Sequence, residues 1–332
     1  MTTAPRFDVL AIGNAIVDVM AAADDALLAR EGLHKGGMAL IDAERATSLY
    51  AAMGPAQEIS GGSAANTLAG LAGLGCTCAF VGQVADDQLG EVFAHDVRAM
   101  GISFTTAARP SEPPTARCLI LVTPDGQRTM NTFLGASQFL PASALDASLI
   151  RDAAILYLEG YLWDPEEPRA AMRAAIDAAR SAGRKVAFTL SDAFVIDRHR
   201  SDFLDLIDQG QIDILFANDA EIQSLAQIDS FEGAVAAIAD KVPLLVVTRS
   251  ADGAIAVRNG ERFEVAAEPV DKVVDTTGAG DLFAAGFLAG QTQGKDIETS
   301  LRMGAIAAAE IISHFGARPT VDLKALTAQK LG

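Results

Sequence analysis

The sequence predicts an α/β protein built on a mainly parallel sheet, and three observations carry that expectation. Short apolar runs alternate with longer Ala/Leu-rich segments, the rhythm of buried strands joined by crossover helices. Half of the 332 residues are apolar and 21% are charged, too apolar for disorder and enough for one large core. No internal repeat or low-complexity linker interrupts the chain, so a single domain over 1–332 is expected.

Taken in order, buried strands are expected at Phe7–Ile12, Cys78–Val81, Ala154–Leu158, Lys185–Leu190, Ile212–Phe216 and Leu244–Thr248. Between them, helical spacing of small and apolar residues marks Leu89–Met100, Pro168–Ala182, Phe231–Ala239 and Asp281–Ala289. Two segments, 33–42 and 104–134, lack good helices. The second holds Pro-rich turns and two plausible strands around Pro124-Asp125-Gly126, a turn signal. Parts of 13–44 and 104–137 are therefore expected to form a small β-sheet standing off the main one, and a lid over a site is the usual reason for such an excursion.

The formal net charge of −17 argues against nucleic acid or an anionic membrane as partner, since both reward basic patches. It does not argue against a local phosphate site, which a few N–H groups can make. Cys76, Cys78 and Cys118 sit in apolar surroundings with no Cys/His pair at metal-ligand spacing, so they read as ordinary thiols in a reduced, cytoplasmic setting. Neither a signal peptide nor a membrane span is expected.

The most informative segment is Asp275-Thr276-Thr277-Gly278-Ala279-Gly280-Asp281, followed by LFAAGFLAG. An extended stretch, Phe263–Val274, is expected to lead into the glycines and then into a helix. Gly278 and Gly280 allow close approach of a ligand, and the helix start presents unpaired N–H groups: an anion site. Asp281 at its mouth would repel a resting phosphate. It is either a general base that takes the proton of an attacking hydroxyl or a first-turn acid that complements the helix dipole. The Walker A pattern occurs nowhere, and Phe283 stands where a dinucleotide fingerprint needs its third glycine.

Gly61-Gly62-Ser63-Ala64-Ala65-Asn66 again places paired glycines before a small-residue helix. Asn66 can donate and accept to a sugar hydroxyl; the alternative is a tightly packed helix with Ser63 as N-cap. The first strand ends in Gly13-Asn14, with Asp18 soon after, near where open α/β sheets bind ligands. Asp18 is either a diol ligand or a solvated surface acid. Asn218 and Glu221 are spaced to share a helix face and suit Mg²⁺ held through water, or else form a capping box. Thr248 to Gly253 follows another buried strand and could line a nucleotide site.

GGSAANTLAGLAGLG at 61–75 and DTTGAGDLFAAGFL at 275–288 resemble the two signature segments of the PfkB/ribokinase family of carbohydrate and nucleoside kinases. NDAE at 218–221 is similar to that family's Asn-x-x-Glu motif, and the resemblance runs from about residue 7 to 320. AIGNAIVD at 11–18, YLEGYL at 157–162 and DILFANDAE at 213–221 look most like the adenosine kinase branch. The resemblance implies a three-layer, ribokinase-like α/β domain with a β lid, and ATP with Mg²⁺ as cofactors, with K⁺ as an optional monovalent cation. It implies Asn14, Asp18, Gly62, Ser63 and Asn66 at the acceptor, with Tyr161 stacking on a base. Gly278, Ala279 and Gly280 would form the anion hole and Asp281 the base. Asn218, Thr248, Gly253 and Thr277 would line the nucleotide, with Glu221 on the metal through water. Met38 and Ala39 depart from the more polar lid of animal-type members, which leaves the nucleoside open. A small-molecule nucleoside or sugar partner fits, in a monomer or homodimer. A sugar kinase and a silent nucleoside-binding sensor are the rivals.

Overall fold

The computed structural model describes residues 4–110 and 112–332, and these form two sheets. The central sheet has nine strands. Their order is Glu261–Val265, Ala254–Arg258, Leu244–Thr248, Ile214–Asn218, Lys185–Thr189, Ala153–Glu159, Phe7–Ile12, Cys78–Val81 and Ser103–Phe104. From Leu244–Thr248 to Ser103–Phe104 every pairing is parallel; the last two strands fold back antiparallel.

Successive residues of these strands point to opposite faces, and both faces are buried. Val9, Ala11, Ile155, Tyr157, Ile214 and Phe216 join one core with the helices Ser63–Gly73, Ala279–Thr292 and Ile297–Ile311. Leu10, Ile12, Leu156, Leu158, Val186 and Phe188 join the other, with Glu166–Ser181 and Ala193–Asp208. The result is the three-layer α/β architecture expected. Strand positions agree to within two residues, since end residues fray. Helices Ser63–Gly73 and Ala279–Thr292 lie close together: a Cβ on Gly70 would come 2.6 Å from Leu282 Cδ1.

The extended approach to the glycines is strand only in its first part. The chain is strand only to Val265, and 266–274 has no regular structure. Val274 and Asp275 donate their N–H groups to the Ile312 carbonyl, so the end of helix Ile297–Ile311 supports the turn.

The second sheet has the order Met38–Leu40, Arg128–Phe133, Ala116–Val122, Ile16–Ala22 and Ala56–Gly61. The strand Ala56–Gly61 lies outside the two segments the sequence marked. It is an edge strand with an exposed start and few β-branched residues, so propensity does not reveal it, and antiparallel pairing with Ile16–Ala22 holds it in place. Val17, Val19 and Ala21 are buried, Val17 and Val19 with Leu27, Leu28 and Leu49. Ile16, Asp18 and Met20 occupy the other, more open face.

Candidate active site

The chain leaves Phe7–Ile12 through Gly13 and Asn14 and crosses directly into the second sheet at Ile16. Asn14 is buried. Its N–H and Nδ2 both donate to Glu159 Oε1 at 2.7 Å, and Ala64 N–H donates to Glu159 Oε2 at 2.7 Å. Glu159 ends the neighbouring parallel strand and is fully buried. Burial pushes its carboxyl up to about 7, against the pull of those three donors. Sequence reasoning quoted this residue only inside YLEGYL. The signal was available: a lone acid closing an apolar strand, the same cue that drew attention to Asp18.

The glycine pair at 61–62 makes room for the protein's own groups. A Cβ on Gly61 would lie 2.6 Å from the Asp18 carboxyl carbon, and one on Gly62 would lie 2.3 Å from the Asn14 carbonyl oxygen. Gly62 also has φ 94° and is the N-cap of helix Ser63–Gly73. Ser63 is thus the first helical residue rather than the cap. Its hydroxyl donates to Asp281 Oδ1 at 2.6 Å, and Asn66 Nδ2 donates to Asp281 Oδ2 at 3.0 Å. Asn66 Oδ1 is buried and without a partner among the described residues, an acceptor left open beside the carboxylate.

The glycine-rich turn is braced from behind. Asp275 is buried and paired with Arg128 of the second sheet, and it accepts from Thr277 N–H and Gly316 N–H at 3.0 Å each. Gly278, with φ 80°, is the N-cap of Ala279–Thr292, and a Cβ there would meet Ala317 Cβ at 2.9 Å. Gly280 differs: its φ is not in the left-handed region, and a Cβ there would meet nothing within 4 Å. The backbone therefore requires glycine at 278 but not at 280, although the sequence grouped them. In this first helical turn Ala279 N–H donates to the Thr276 carbonyl at 3.2 Å and Leu282 N–H to the Gly278 carbonyl at 2.9 Å, which leaves the N–H groups of Gly280 and Asp281 without a backbone carbonyl among the described residues.

Asp281 follows in the same turn. Burial pushes its carboxyl up, while Ser63, Asn66 and the charge of Arg318 pull it down. Asp18 is raised to about 6 by burial, opposed by Arg318 and Arg128 and reinforced by Asp281 and Asp275. A carboxylate whose affinity for a proton is raised, as that of Asp281 is, is a better proton acceptor than one in water.

Tyr161 stands in the short turn after Glu159, 41% exposed. Burial and the charges of Asp192, Asp281, Glu221 and Glu159 push its phenol up, so it shares the acidic neighbourhood of Asp281. Asn218 and Glu221 form the capping box: Glu221 N–H donates to Asn218 Oδ1, and the Glu221 carboxylate accepts from Asn218 N–H and Nδ2. Burial raises Glu221 to about 7. Thr248 ends its strand beside Asn218. Gly253 serves the hairpin instead; a Cβ there would lie 2.0 Å from the Val265 carbonyl oxygen. Among the described residues no cluster of His, Cys, Asp or Glu is built to hold a metal, and no helix is long and apolar enough to cross a membrane. All three cysteines are free and buried.

Known proteins place this geometry. Residues 37–323 match the family model described as pfkB family carbohydrate kinase. A solved adenosine kinase from Sinorhizobium meliloti is 48% identical, with a TM-score of 0.90, over 98% of this chain and 99% of that one. A solved "probable sugar kinase protein" from Rhizobium etli is also 48% identical, with a TM-score of 0.91 and the same coverage. A 5-dehydro-2-deoxygluconokinase from Shouchella clausii is 28% identical over 98% of this chain and 97% of its own length. With the family model matched over most of its length and solved kinases matching across both sheets, the chain belongs to the pfkB family of carbohydrate and nucleoside kinases and is a phosphotransferase.

Proposed function

We propose that the chain transfers the terminal phosphoryl group of ATP to the 5′-hydroxyl of adenosine. One observation carries the choice of a nucleoside over a bare sugar: the open face of the second sheet around Asp18 is apolar and rich in methionine. Register places Met20 beside Ile120, Ile120 beside Met130 and Met130 beside Met38, with Leu40 at the edge and Ile59 opposite Asp18. Arg128, which reaches both Met20 and Asp275, shows that this face looks toward the glycine turn. A flat polarizable base suits thioether and aliphatic walls, whereas a free sugar does not. The 48% identity to the Sinorhizobium meliloti adenosine kinase supports the same reading.

In this reading Asp18 and the open Asn66 oxygen take the ribose hydroxyls, and Asn14 and Gly62 shape the wall behind them. Asp281 accepts the 5′-hydroxyl proton as that oxygen attacks, and the free N–H groups of Gly280 and Asp281 stabilise the charge gathering on the phosphoryl oxygens. ATP brings the phosphoryl group, with Mg²⁺ offsetting its charge. Glu221, whose oxygens are already engaged by Asn218, would reach that ion only through water. Thr248 and Thr277 border the nucleotide's side.

A second reading, a sugar kinase on the same scaffold, rests on Asp18 and Asn66, which recognise hydroxyls and not a base. ATP consumption with adenosine, guanosine, inosine, ribose and fructose separates the two. Adenosine is expected to be the best acceptor, and a clear preference for a free sugar would overturn the proposal. Tyr161→Ala sharpens the test. Stacking on an aromatic side chain is worth about 1–3 kcal/mol per base, so adenosine binding should weaken by roughly 5–150-fold. Residual turnover of ribose should hardly change. Equal losses on both would make Tyr161 a structural tyrosine.

A further inference from the structure

We infer that Arg318 is a positioning residue for phosphoryl transfer: its guanidinium fixes the backbone on either side of the acceptor site and keeps Asp281 in its proton-accepting form. Sequence reasoning passed over this residue, and no part of the proposed chemistry above uses it as a ligand.

The geometry is specific. Nη1 of Arg318 donates to the Ala65 carbonyl at 2.8 Å, and Nη2 donates to the Ser60 carbonyl at 2.5 Å and to Ser60 Oγ at 3.1 Å. Ala65 lies between Ser63 and Asn66, the two residues that hold the Asp281 carboxylate. Ser60 precedes Gly61, against which the Asp18 carboxylate packs, and its own N–H donates to Asp96 Oδ2. One planar fork therefore spans the end of a second-sheet strand and the first turn of helix Ser63–Gly73. A lysine ammonium cannot reproduce such a span with the same two-armed geometry.

The charge matters as well as the fork. Arg318 is the cation that acts on both Asp18 and Asp281. Around Asp281 the other charged or titratable groups are Asp18, Glu159, Tyr157 and Tyr161, every one of them acidic. Around Asp18 stand Arg128, Asp275, Asp281 and Cys118. Arg318 itself faces Asp18, Asp281 and Asp96, and burial lowers it only to about 10, so it stays charged at neutral pH. Without it, a buried carboxylate in acidic company would hold its proton to higher pH, and a protonated Asp281 cannot accept another.

The inference rests on Asp281 being the base, so the experiment includes that variant. Turnover against pH, at saturating ATP and acceptor, is measured for wild type, Arg318→Met, Arg318→Gln, Arg318→Lys and Asp281→Asn, with melting temperatures alongside. In Arg318→Met the acid limb of kcat should move up by about one pH unit, so turnover below the limb falls about tenfold and recovers as pH rises. Arg318→Lys should return the limb toward wild type while keeping a lower plateau. Arg318→Gln, which can still donate to one carbonyl, reads the same shift if the methionine variant does not fold. A limb that stays in place while only the plateau or the melting temperature drops would make Arg318 purely structural and overturn the inference. Near wild-type turnover in Asp281→Asn would instead remove the base assignment itself, a result distinguishable from the first.

Discussion

Replacing Asp281 by asparagine should lower turnover by roughly 10²–10⁴-fold, the usual loss when a general base is removed. The substitution keeps the size of the side chain and can preserve one bond to Ser63 or Asn66, which hold the carboxylate at 2.6 and 3.0 Å. It also relieves the cost of a buried charge, so the fold should be at least as stable. Acceptor affinity should therefore change much less than kcat, the pattern of an interaction made in the transition state. Steady-state kinetics with a coupled ADP assay reads this directly. Turnover within a few fold of wild type would leave Asp281 as a first-turn acid that complements the helix dipole and nothing more.

The second large effect is expected at Gly280. Valine there has ordinary backbone angles available, and its Cβ would meet no neighbouring group within 4 Å. Valine in place of glycine near a helix start costs the helix nothing and should hold or raise the melting temperature by a small amount. Yet on the proposed mechanism that open space is where the phosphoryl group must sit, and an isopropyl group would fill it. Gly280→Val should lose phosphoryl transfer with an unchanged circular dichroism spectrum. Gly278→Val should behave differently, because φ 80° and the Ala317 contact strain the protein before any ligand arrives. An active, well-folded Gly280→Val would take the turn out of the mechanism.

How much of this could be read from the chain depended on distance along it. Strands buried on both faces, such as Phe7–Ile12 and Leu244–Thr248, write themselves as unbroken apolar runs; the ends of these two were legible to the residue, and those of others to within two. The glycine turn and Asp281 are local, so they too could be read. Ala56–Gly61 was not legible, since a half-exposed edge strand has neither apolar run nor clean alternation. The site's internal wiring was the least visible. Glu159 reaches Ala64 across 95 positions and Arg318 reaches Ala65 across 253. No local pattern announces a partner that far away. Asp18 was placed by resemblance on the acceptor, but only the fold shows that it sits on a strand of the second sheet, with Gly61 cut back to admit it.

The bracing of the glycine turn from Ile312 and Gly316, and of Ser60 and Ala65 from Arg318, has a consequence for the making of the protein. Asn66 and the carboxylate it holds are 215 positions apart, and a ribosome adding about 5–20 residues per second needs roughly 10–40 s to span that interval. Throughout that wait the small-residue face of Ser63–Gly73, built to take Leu282 against Gly70, has no partner. A nascent chain can lay down its first strands, but it holds no assembled base and presents an apolar helix face to its surroundings. On the proposed mechanism, catalysis must await residues 275–318, and until then that uncovered face is what a chaperone would meet.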